Sequence, residues 1–287
     1  MSGANESTLS SEVAAARAAL RMVTGEPGVA KPDSILIADG MQRNFGGLAA
    51  VDVAHLEIPR HAITALIGPN GAGKTTLFNL LSGFDTPTAG HWSFDGHQIE
   101  GLRAYRIAQL GMVRTFQLTK ALNGLTVLEN MLLAARDQTG ESLVGAFRPR
   151  KWRRQDAEHR TRAMDLLHRF KLDSKADDFA ATLSGGQKKL LEMARSLMVE
   201  PSLVMLDEPM AGVNPALVES LLEHVQGLRD EGRTVLFVEH DMDVVMTISD
   251  WVVCMAEGSV IAEGTPESVA ANAEVIDAYL GRVAGES

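Results

Sequence analysis

Residues 68–75, GPNGAGKT, have the spacing of a loop that binds phosphate groups, G-x-x-x-x-G-K-[ST]. The glycines let the backbone wrap around a phosphate, and successive N–H groups supply positive potential together with the N-terminus of a following helix. In this pattern Lys74 reaches the outer phosphates and the Thr75 hydroxyl coordinates Mg²⁺. An apolar stretch precedes the loop and a helical pattern follows it, which favours this interpretation over an ordinary glycine-rich turn.

Two carboxylates end the apolar segment 203–209, LVMLDEP. Acidic side chains are costly inside a sheet, but at the carboxyl end of a strand they face the ligand crevice of an open parallel sheet. Asp207 is suited to the Mg²⁺ shell, and Glu208 is suited to a base that orients or deprotonates an attacking water. A plain turn at Asp-Glu-Pro is the alternative.

Three further side chains are candidates for the same site. The segment 234–241, TVLFVEHD, brings His240 to a strand end, where its ring can contact a γ-phosphate; a satisfied structural histidine is the alternative. Gln117, in RTFQ, has an amide that can coordinate Mg²⁺ and hold water, although a loop glutamine is usually only solvated. Phe45 precedes the phosphate loop and can stack on a base, but core packing is an equally good interpretation.

The segment 182–201, TLSGGQKKLLEMARSLMVEP, predicts a helix with an unusual first turn. Ser184 and Gln187 fit a capping box, whereas Gly185 and Gly186 each cost up to about 1 kcal/mol relative to alanine. A serine and two glycines at a helix N-terminus form a second anion cradle, with open N–H groups, a hydroxyl and the helix dipole. Because the first loop already serves this chain's own phosphates, the second cradle predicts a dimer with ATP at the interface.

The elements that must position these residues follow an α/β pattern. Apolar strands alternate with helices after residue 184, which predicts a mainly parallel sheet covered on both faces. A hairpin is expected to turn at Asp95-Gly96. A more polar helical stretch from about 118 to 182 predicts an inserted subdomain, and residues 1–33 are expected to form a weakly ordered extension.

Composition limits the possible functions. The 287-residue chain has a formal net charge of −10, which argues against nucleic-acid binding because duplexes are bound by clustered basic faces. The single cysteine, Cys254, lies in an apolar run and predicts a buried thiol. No apolar stretch reaches the roughly 18 residues of a membrane span, and the N-terminus lacks a secretory-signal pattern. We therefore expect a soluble, cytoplasmic protein that acts at a membrane only through a partner.

Six motifs, taken together, resemble those of the ATP-binding subunits of ABC transporters, over about residues 34–284. GPNGAGKTT resembles Walker A, RTFQ the Q-loop, LSGGQ the signature, LVMLDE Walker B, AGVN the D-loop and EHD the switch histidine, in the family's order. The resemblance implies an α/β fold, a P-loop NTPase of the ABC type, with a RecA-like parallel-sheet core. It also implies an antiparallel β subdomain and an inserted helical subdomain.

The resemblance carries roles for individual residues. The expected contacts of ATP are Phe45, Gly68, Pro69, Asn70, Gly71, Ala72, Gly73, Lys74, Thr75 and Thr76. The expected Mg²⁺ ligands are Thr75, Gln117 and Asp207, and the expected catalytic residues are Glu208, His240 and Lys74. The signature residues that would act on a partner's ATP are Ser184, Gly185, Gly186 and Gln187. The D-loop comprises Ala211, Gly212, Val213 and Asn214, and Asn214 stands where most of the family has aspartate.

The implied assembly is a head-to-tail dimer with a second ABC ATPase subunit, identical or paralogous. Two transmembrane permease subunits would hold it at the cytoplasmic face of the cell membrane, and an extracytoplasmic solute-binding protein would take part indirectly. The basic arm 148–154, RPRKWRR, is expected to be a solvated face, with contact to the membrane partner or lipid head groups as the alternative.

Within the superfamily, the stretches VRTFQ, LTVLENML, DEPMAGVNP and VEHDMDVVM are most similar to ATPases of branched-chain amino acid importers. ATPases of urea and short-amide importers are closely similar, so both cargo classes stay open. Exporter ATPases of the same fold are a further alternative. A non-transport ABC ATPase acting on ribosomes or DNA is disfavoured by the single cassette, the short insertion and the net negative charge.

Overall fold

The computed structural model describes residues 2–115, 123–135 and 149–280. The strands are β1 (Ser34–Phe45), β2 (Leu48–Pro59), β3 (Ile63–Ile67), β4 (Ala89–Phe94), β5 (His97–Gln98), β6 (Met112–Arg114), β7 (Leu203–Asp207), β8 (Thr234–Val238), β9 (Trp251–Ala256) and β10 (Ser259–Gly264). The α-helices are α1 (Ser2–Leu20), α2 (Lys74–Leu81), α3 (Ala104–Leu110), α4 (Val127–Leu133), α5 (Pro149–Arg169), α6 (Gly185–Ser196), α7 (Pro215–Asp230), α8 (Met242–Ile248), α9 (Pro266–Ala270) and α10 (Ala273–Leu280).

The main sheet has the strand order β10-β9-β3-β8-β7-β6. β3 pairs in parallel with β8 and β9, β7 pairs in parallel with β6 and β8, and β10 is antiparallel to β9. β3 and β8 are buried along their whole length, as expected for short apolar strands covered on both faces. The predicted mainly parallel sheet is confirmed, and it brings the carboxyl ends of β3, β7 and β8 to one edge.

A second, antiparallel sheet has the order β2-β1-β4-β5. Asp95 and Gly96, with φ of 49° and 74°, form the two-residue turn between Phe94 and His97. Two successive residues in the left-handed region match the tight hairpin turn for which Asp-Gly is preferred. The predicted hairpin is therefore confirmed. Phe94 and residues of β1 and β2 share one apolar core with residues of the main sheet.

The chain divides into two compact units. The first comprises Met1–Arg114, Ser202–Met210 and Glu219–Ser287, and the second comprises Thr115–Pro201 and Ala211–Val218. The second unit is larger than the insertion expected at 118–182, since it also takes in α6. This helix contacts α4 and α5 and buries Leu190, Leu191 and Ala194, so its packing assigns it to the helical unit.

The structure corrects the expectation that residues 1–33 are weakly ordered. Within α1, Val13 and Leu20 are buried, and Arg17 Nε donates to Asp250 Oδ1 at 2.6 Å. Further along the chain, Lys31 Nζ lies 2.6 Å from Glu263 Oε2, and both side chains are almost completely buried. The helix is rich in small residues, and Asp250 lies 233 residues from Arg17, so local sequence patterns do not reveal these anchors.

The single cysteine behaves as its apolar surroundings predict. Cys254 is a fully buried residue of β9 with a free thiol. Burial raises the pKa of this thiol to about 12. Because the thiolate is the reactive form of cysteine, Cys254 is an inert part of the core.

Replacing Lys31 with methionine is expected to lower the free energy of unfolding by about 3 kcal/mol, because the Glu263 carboxylate then stays buried without its cation. Urea denaturation followed by circular dichroism measures the change. The matched control is Arg154→Met, which breaks an exposed ion pair with Glu158 and should change the free energy by less than about 0.5 kcal/mol. Equally small effects in both variants would contradict the anchoring of the N-terminal segment through Lys31.

Candidate nucleotide-binding and hydrolysis site

The predicted phosphate loop joins the buried strand β3 to helix α2. Gly68, Gly71 and Gly73 all have positive φ, at 144°, 77° and 98°. A Cβ atom at Gly68 would lie 2.1 Å from the Met255 carbonyl oxygen, and one at Gly73 would lie 2.4 Å from the Ala50 carbonyl oxygen. The loop therefore depends on glycine both for its backbone conformation and for its close packing.

Lys74 and the first turn of α2 supply positive charge to this loop. Lys74 Nζ donates to the carbonyl oxygens of Gly68 at 2.7 Å and of Pro69 at 3.0 Å. Gly73 is the N-cap residue and has no side chain with which to cap the first-turn N–H groups. No capping side chain therefore competes with an anion for those N–H groups. The ammonium and the helix N-terminus meet at one loop, as a phosphate site requires.

The C-terminal elements support the phosphate loop. In the turn between β9 and β10, Gly258 N–H donates to the Ala72 carbonyl oxygen at 3.0 Å, and the Gly258 carbonyl accepts from Asp52 N–H of β2 at 2.8 Å. The Tyr279 hydroxyl of α10 lies beside the N–H of Gly68, which partly offsets the burial that raises the pKa of Tyr279 to about 12. The sequence alone did not indicate this support, because only the folded chain brings the C-terminal segment to the loop.

Phe45 lies at the end of the β1–β2 hairpin, where it pairs with Leu48, and 50% of it is exposed. The core-packing interpretation of Phe45 is therefore wrong. The Arg43 guanidinium lies 4.6 Å from the ring centroid. The same hairpin approaches the phosphate loop through Ala50. An exposed ring on the strand pair that contacts the loop is compatible with stacking on a base, which stays a prediction.

Asp207, at the end of β7, is held by a buried arginine. Arg114 Nη2 donates to Asp207 Oδ2 at 2.7 Å, and Arg114 Nη1 donates to Asn79 Oδ1 at 2.6 Å. Only 8% of the Arg114 side chain is exposed, and its guanidinium lies 5.1 Å from the ring centroid of Phe78. Because Asn79 and Phe78 belong to α2, Arg114 connects the helix after the phosphate loop to the carboxylate predicted to bind Mg²⁺.

Arg114 was absent from the residues predicted for this site, although the sequence contains a signal for it. It ends β6, a short strand of otherwise apolar residues, and stands three residues before Gln117. A guanidinium at the end of an apolar strand needs an anionic partner when it is buried. The identity of that partner is given only by the parallel pairing of β6 with β7.

Glu208 has a φ of 45°, which is uncommon for a residue other than glycine. Its N–H donates to the Val238 carbonyl oxygen at 3.1 Å, so the contact between β7 and β8 continues past the last ladder pair. Strained backbone conformations of this kind cluster at active sites, where the surrounding structure holds them. The strain at Glu208 favours a role in the site over the plain-turn alternative.

His240 lies just beyond β8, and 65% of its side chain is exposed, which does not fit a buried structural histidine. The preceding residue, Glu239, has a side chain that is only 1% exposed. Its Oε1 accepts from Met210 N–H at 3.0 Å and its Oε2 accepts from His240 N–H at 3.3 Å. Burial raises the pKa of the Glu239 carboxyl, and the Glu208 charge acts in the same direction. Sequence reasoning missed Glu239, because its partners become visible only when β7 and β8 lie side by side.

The signature segment, in the second unit, has the predicted capping box. Gln187 N–H donates to Ser184 Oγ at 3.3 Å, and Ser184 N–H donates to Gln187 Oε1 at 3.0 Å. The two glycines differ. A Cβ at Gly185 would meet no atom within 4 Å, whereas one at Gly186 would lie 2.0 Å from Leu217 Cδ2. A side chain at position 186 would therefore displace the Leu217 side chain, whereas the described fold leaves open space at position 185.

The D-loop precedes α7, and its last residue caps that helix. Asn214 Oδ1 accepts from Leu217 N–H at 2.9 Å, a role that an aspartate would also fill. Gln117 and Arg148, the first residue of the basic arm, lie outside the described residues. At the far end of that arm, Arg154 pairs with Glu158 at 2.9 Å.

The predicted Mg²⁺ ligands of the described residues have the oxygen donors that this ion prefers. Across the described ranges, no group of three or more His, Cys, Asp or Glu side chains is placed to hold a metal ion. Such a cluster is not what Mg²⁺ needs, because this ion usually binds one or two protein oxygens together with substrate phosphates and water. The Thr75 hydroxyl and the Asp207 carboxylate, both in the first unit, fit that donor set.

Comparison with known proteins identifies the class. Residues 51–211 match the family described as ABC transporter, and residues 259–285 match the family described as branched-chain amino acid ATP-binding cassette transporter. The chain belongs to the ABC transporter family, and it is an ATPase that binds ATP with the P-loop NTPase fold. The resemblance drawn from the six motifs is confirmed.

Among the proteins of this family, the chain is similar to ATP-binding proteins of branched-chain amino acid transport. The chain is 43% identical over 249 residues to the high-affinity branched-chain amino acid transport ATP-binding protein BraF of Pseudomonas aeruginosa, covering 86% of this chain and 98% of that protein. It is 42% identical to LivG of Escherichia coli, whose description is the same, at the same coverage. The probable LivG of Archaeoglobus fulgidus is 41% identical over 247 residues, covering 86% of this chain and 95% of that protein.

Two solved structures have the same fold. One is described as a nucleotide-free ATP-binding cassette from an ABC transporter, and the other as the ADP conformation of such a cassette. Each has a TM-score of 0.75 and 34% sequence identity; they cover 86% and 87% of this chain and 98% and 100% of their own chains. Within the described part of this chain, none of the helices has the length and apolar character needed to cross a membrane.

Gly73→Ala is expected to lower the free energy of unfolding by about 2 kcal/mol or more, because the new Cβ meets a backbone oxygen at a left-handed position. The affinity for ATP should fall as well, since the loop cannot keep its shape. Gly185→Ala is the matched control: its Cβ points into open space, and its effect on unfolding should stay below about 1 kcal/mol. Thermal unfolding and ATP titration of both variants measure these changes, and a Gly73→Ala protein with unchanged stability and affinity would contradict the close packing.

Proposed function

We propose that this chain is the ATP-hydrolysing motor subunit of an ABC importer for branched-chain amino acids. The observation that carries the cargo assignment is the match of residues 259–285 to the branched-chain amino acid cassette family. BraF and LivG, which share more than two fifths of their aligned residues with this chain, are described as branched-chain amino acid transport proteins. A urea or short-amide importer is the second candidate, because such ATPases have closely similar motifs.

The proposed ATP site is the loop from Gly68 to Gly73, with the first turn of α2 and Phe45 at the base. Backbone N–H groups and Lys74 bind the phosphates, while Thr75 and Asp207, together with Gln117, hold Mg²⁺. When bound, Mg²⁺ neutralises charge on the β- and γ-phosphates. The ion pair with Arg114 orients the Asp207 carboxylate, whose second oxygen stays available.

In the proposed hydrolysis step, Glu208 orients the attacking water and accepts its proton. His240 and Lys74 stabilise the charge on the phosphoryl group as it is transferred. Glu239 is unsuited to act as the base, since it is buried and both of its oxygens already accept hydrogen bonds. This leaves Glu208, which is partly exposed, as the carboxylate that can reach water.

We infer that the N-terminus of α6 acts on ATP bound by a second ATPase subunit. Gly185 leaves that N-terminus open, and Ser184 accepts a hydrogen bond from Gln187 N–H, so the hydroxyl hydrogen can still be donated to a phosphate. The D-loop, 211–214, would lie at the same interface. The second subunit is either a copy of this chain or a paralogue.

The proposed assembly also includes two permease subunits, which hold the ATPase at the cytoplasmic face of the membrane, and an extracytoplasmic solute-binding protein that delivers cargo. We propose that the ATPase domain spans 34–284, with a helical subdomain inserted near 118–182 and completed by α6. The N-terminal segment is anchored to this domain through Arg17 and Lys31.

The cargo assignment is tested by transport. Cells that lack the gene should lose uptake of labelled leucine and regain it when the chain is restored, while uptake of labelled urea stays the same. Loss of urea uptake with normal leucine uptake would replace the proposal by the second candidate. Copurification with ribosomes, instead of with two multi-pass membrane proteins, would overturn the transport function as a whole.

Glu208→Gln is expected to retain ATP binding and to lower turnover by about 100-fold or more, because the amide cannot accept the proton of the attacking water. The variant should accumulate an ATP-bound dimer on size-exclusion chromatography. Steady-state phosphate release measures turnover, and nucleotide titration is the control for binding. Hydrolysis at the wild-type rate would rule out Glu208 as the base.

Ser184→Arg is expected to leave ATP binding to the isolated chain unchanged and to abolish ATP-dependent dimer formation, because the long cation occupies the open N-terminus of α6. The comparison is made by nucleotide titration and by size-exclusion chromatography with ATP. Gly185→Ala, a smaller obstruction at the neighbouring position, should have a weaker effect on dimer formation. Loss of nucleotide binding by the isolated Ser184→Arg chain would contradict the action on a partner's ATP.

A further inference from the structure

We propose that Glu239 is a positioning residue for ATP hydrolysis: its buried carboxylate fixes the backbone of both His240 and the segment after Glu208. The inference rests on the proposed role of His240 and extends it to a residue that does not itself touch ATP. The proposal gives a function to the Glu239 carboxylate, which is buried at the edge of the main sheet where the parallel strands end.

The geometry places Glu239 between two strand ends. β7 and β8 pair as far as Asp207 and Val238, and Glu208 N–H then donates to the Val238 carbonyl. Beyond that point the backbone ladder ends, and the Glu239 side chain continues the connection. Its Oε1 accepts from Met210 N–H at 3.0 Å, so the chain leaving β7 is tied to the chain leaving β8.

The second oxygen of Glu239 holds the residue after it. Oε2 accepts from His240 N–H at 3.3 Å and lies 3.8 Å from His240 Nδ1. The imidazole is largely exposed, so few packing contacts are available to fix its position. The position of the ring therefore depends mainly on the backbone at His240. One carboxylate therefore holds the backbone of His240 and the backbone of Met210, which lies two residues after Glu208.

The burial of Glu239 is costly for the fold. Its surroundings on β8 are apolar and its side chain is 1% exposed, and the resulting desolvation raises the pKa of the carboxyl. Glu263 is equally buried but has the Lys31 ammonium at 2.6 Å as a counter-ion. The partners that the structure gives Glu239 are the N–H groups of the two segments that carry the proposed catalytic residues. A buried carboxylate with these partners is better explained by positioning than by stabilisation.

Glu239→Gln tests the proposal in the full-length chain with Mg-ATP as the probe. Glutamine keeps the size of the side chain but replaces one carboxylate oxygen by an NH2 group, so either Met210 N–H or His240 N–H faces a donor in place of its acceptor. We expect kcat to fall by about tenfold or more, with the affinity for ATP unchanged because the phosphate loop is untouched. The midpoint of thermal unfolding should change little, since the gain from removing a buried charge offsets the cost of the N–H that loses its acceptor.

The matched control is Glu57→Gln, a buried glutamate of β2 that also accepts a backbone N–H, from Lys31 at 2.7 Å. This control should keep kcat within about twofold of the wild-type value, because Glu57 contacts neither proposed catalytic segment. A purely structural role for Glu239 predicts the opposite pattern, in which thermal stability falls and kcat per folded molecule is kept. That pattern, or a Glu239→Gln enzyme with wild-type kcat, would overturn the proposal.

A double-mutant cycle with His240→Ala separates this inference from the proposed function. Single-turnover hydrolysis with enzyme in excess makes the slow rates measurable. Because Glu239 acts in part through His240, adding Glu239→Gln to His240→Ala should lower the rate by less than it does in the wild-type background. Multiplicative losses would overturn the action through His240. If His240→Ala alone hydrolyses ATP at the wild-type rate, the proposed role of His240 fails first, and the inference fails with it.

Discussion

The nucleotide site depends on the close approach of backbone to backbone around the phosphate loop. Gly68 lies against the Met255 carbonyl of β9 and Gly73 lies against the Ala50 carbonyl of β2, at distances where any side chain would collide. The loop therefore packs against one strand from each of the two sheets of the first unit. The turn at Gly258 also donates a hydrogen bond to it. Its shape is consequently set by the surrounding fold before a nucleotide arrives, which is the preorganisation that anion binding and phosphoryl transfer require.

Several charged side chains lie at the edge of the main sheet where the parallel strands of the first unit end. Asp207 is neutralised by Arg114, whereas Glu239 is satisfied by backbone N–H groups. Glu208, which follows Asp207 in the chain, has a strained backbone conformation. Each of these arrangements lowers the stability that an all-apolar sheet edge would have, and each is found beside a residue proposed to take part in hydrolysis. The strands β3 and β8 pair with each other and are buried along their whole length, and apolar burial of this kind offsets such costs.

Features with a local cause were predictable from the sequence. The Asp95-Gly96 hairpin, the capping box of Ser184 and Gln187, and the parallel strands all follow from residue type and spacing within a few positions. Arg114 and Glu239 were missed because the reason for their burial is a partner on another strand. The N-terminal helix was misjudged for the same reason, since Arg17 meets Asp250 only in the folded chain. The role of Gln117 as a Mg²⁺ ligand and the role of Phe45 in binding ATP stay predictions.

The contact between Gly186 and Leu217 has a consequence for how this sequence can vary. The leucine methyl group of α7 occupies the space that a side chain at position 186 would need, so the two positions form one steric pair. A larger residue at 186 needs either a different side-chain conformation of Leu217 or a smaller residue in its place. Related cassettes with the same helix packing should therefore show coupled substitutions at these positions. Coupled substitutions at 186 and 217 would indicate that glycine at 186 is retained for packing. Glycine that is retained at 185 without such coupling would indicate a ligand.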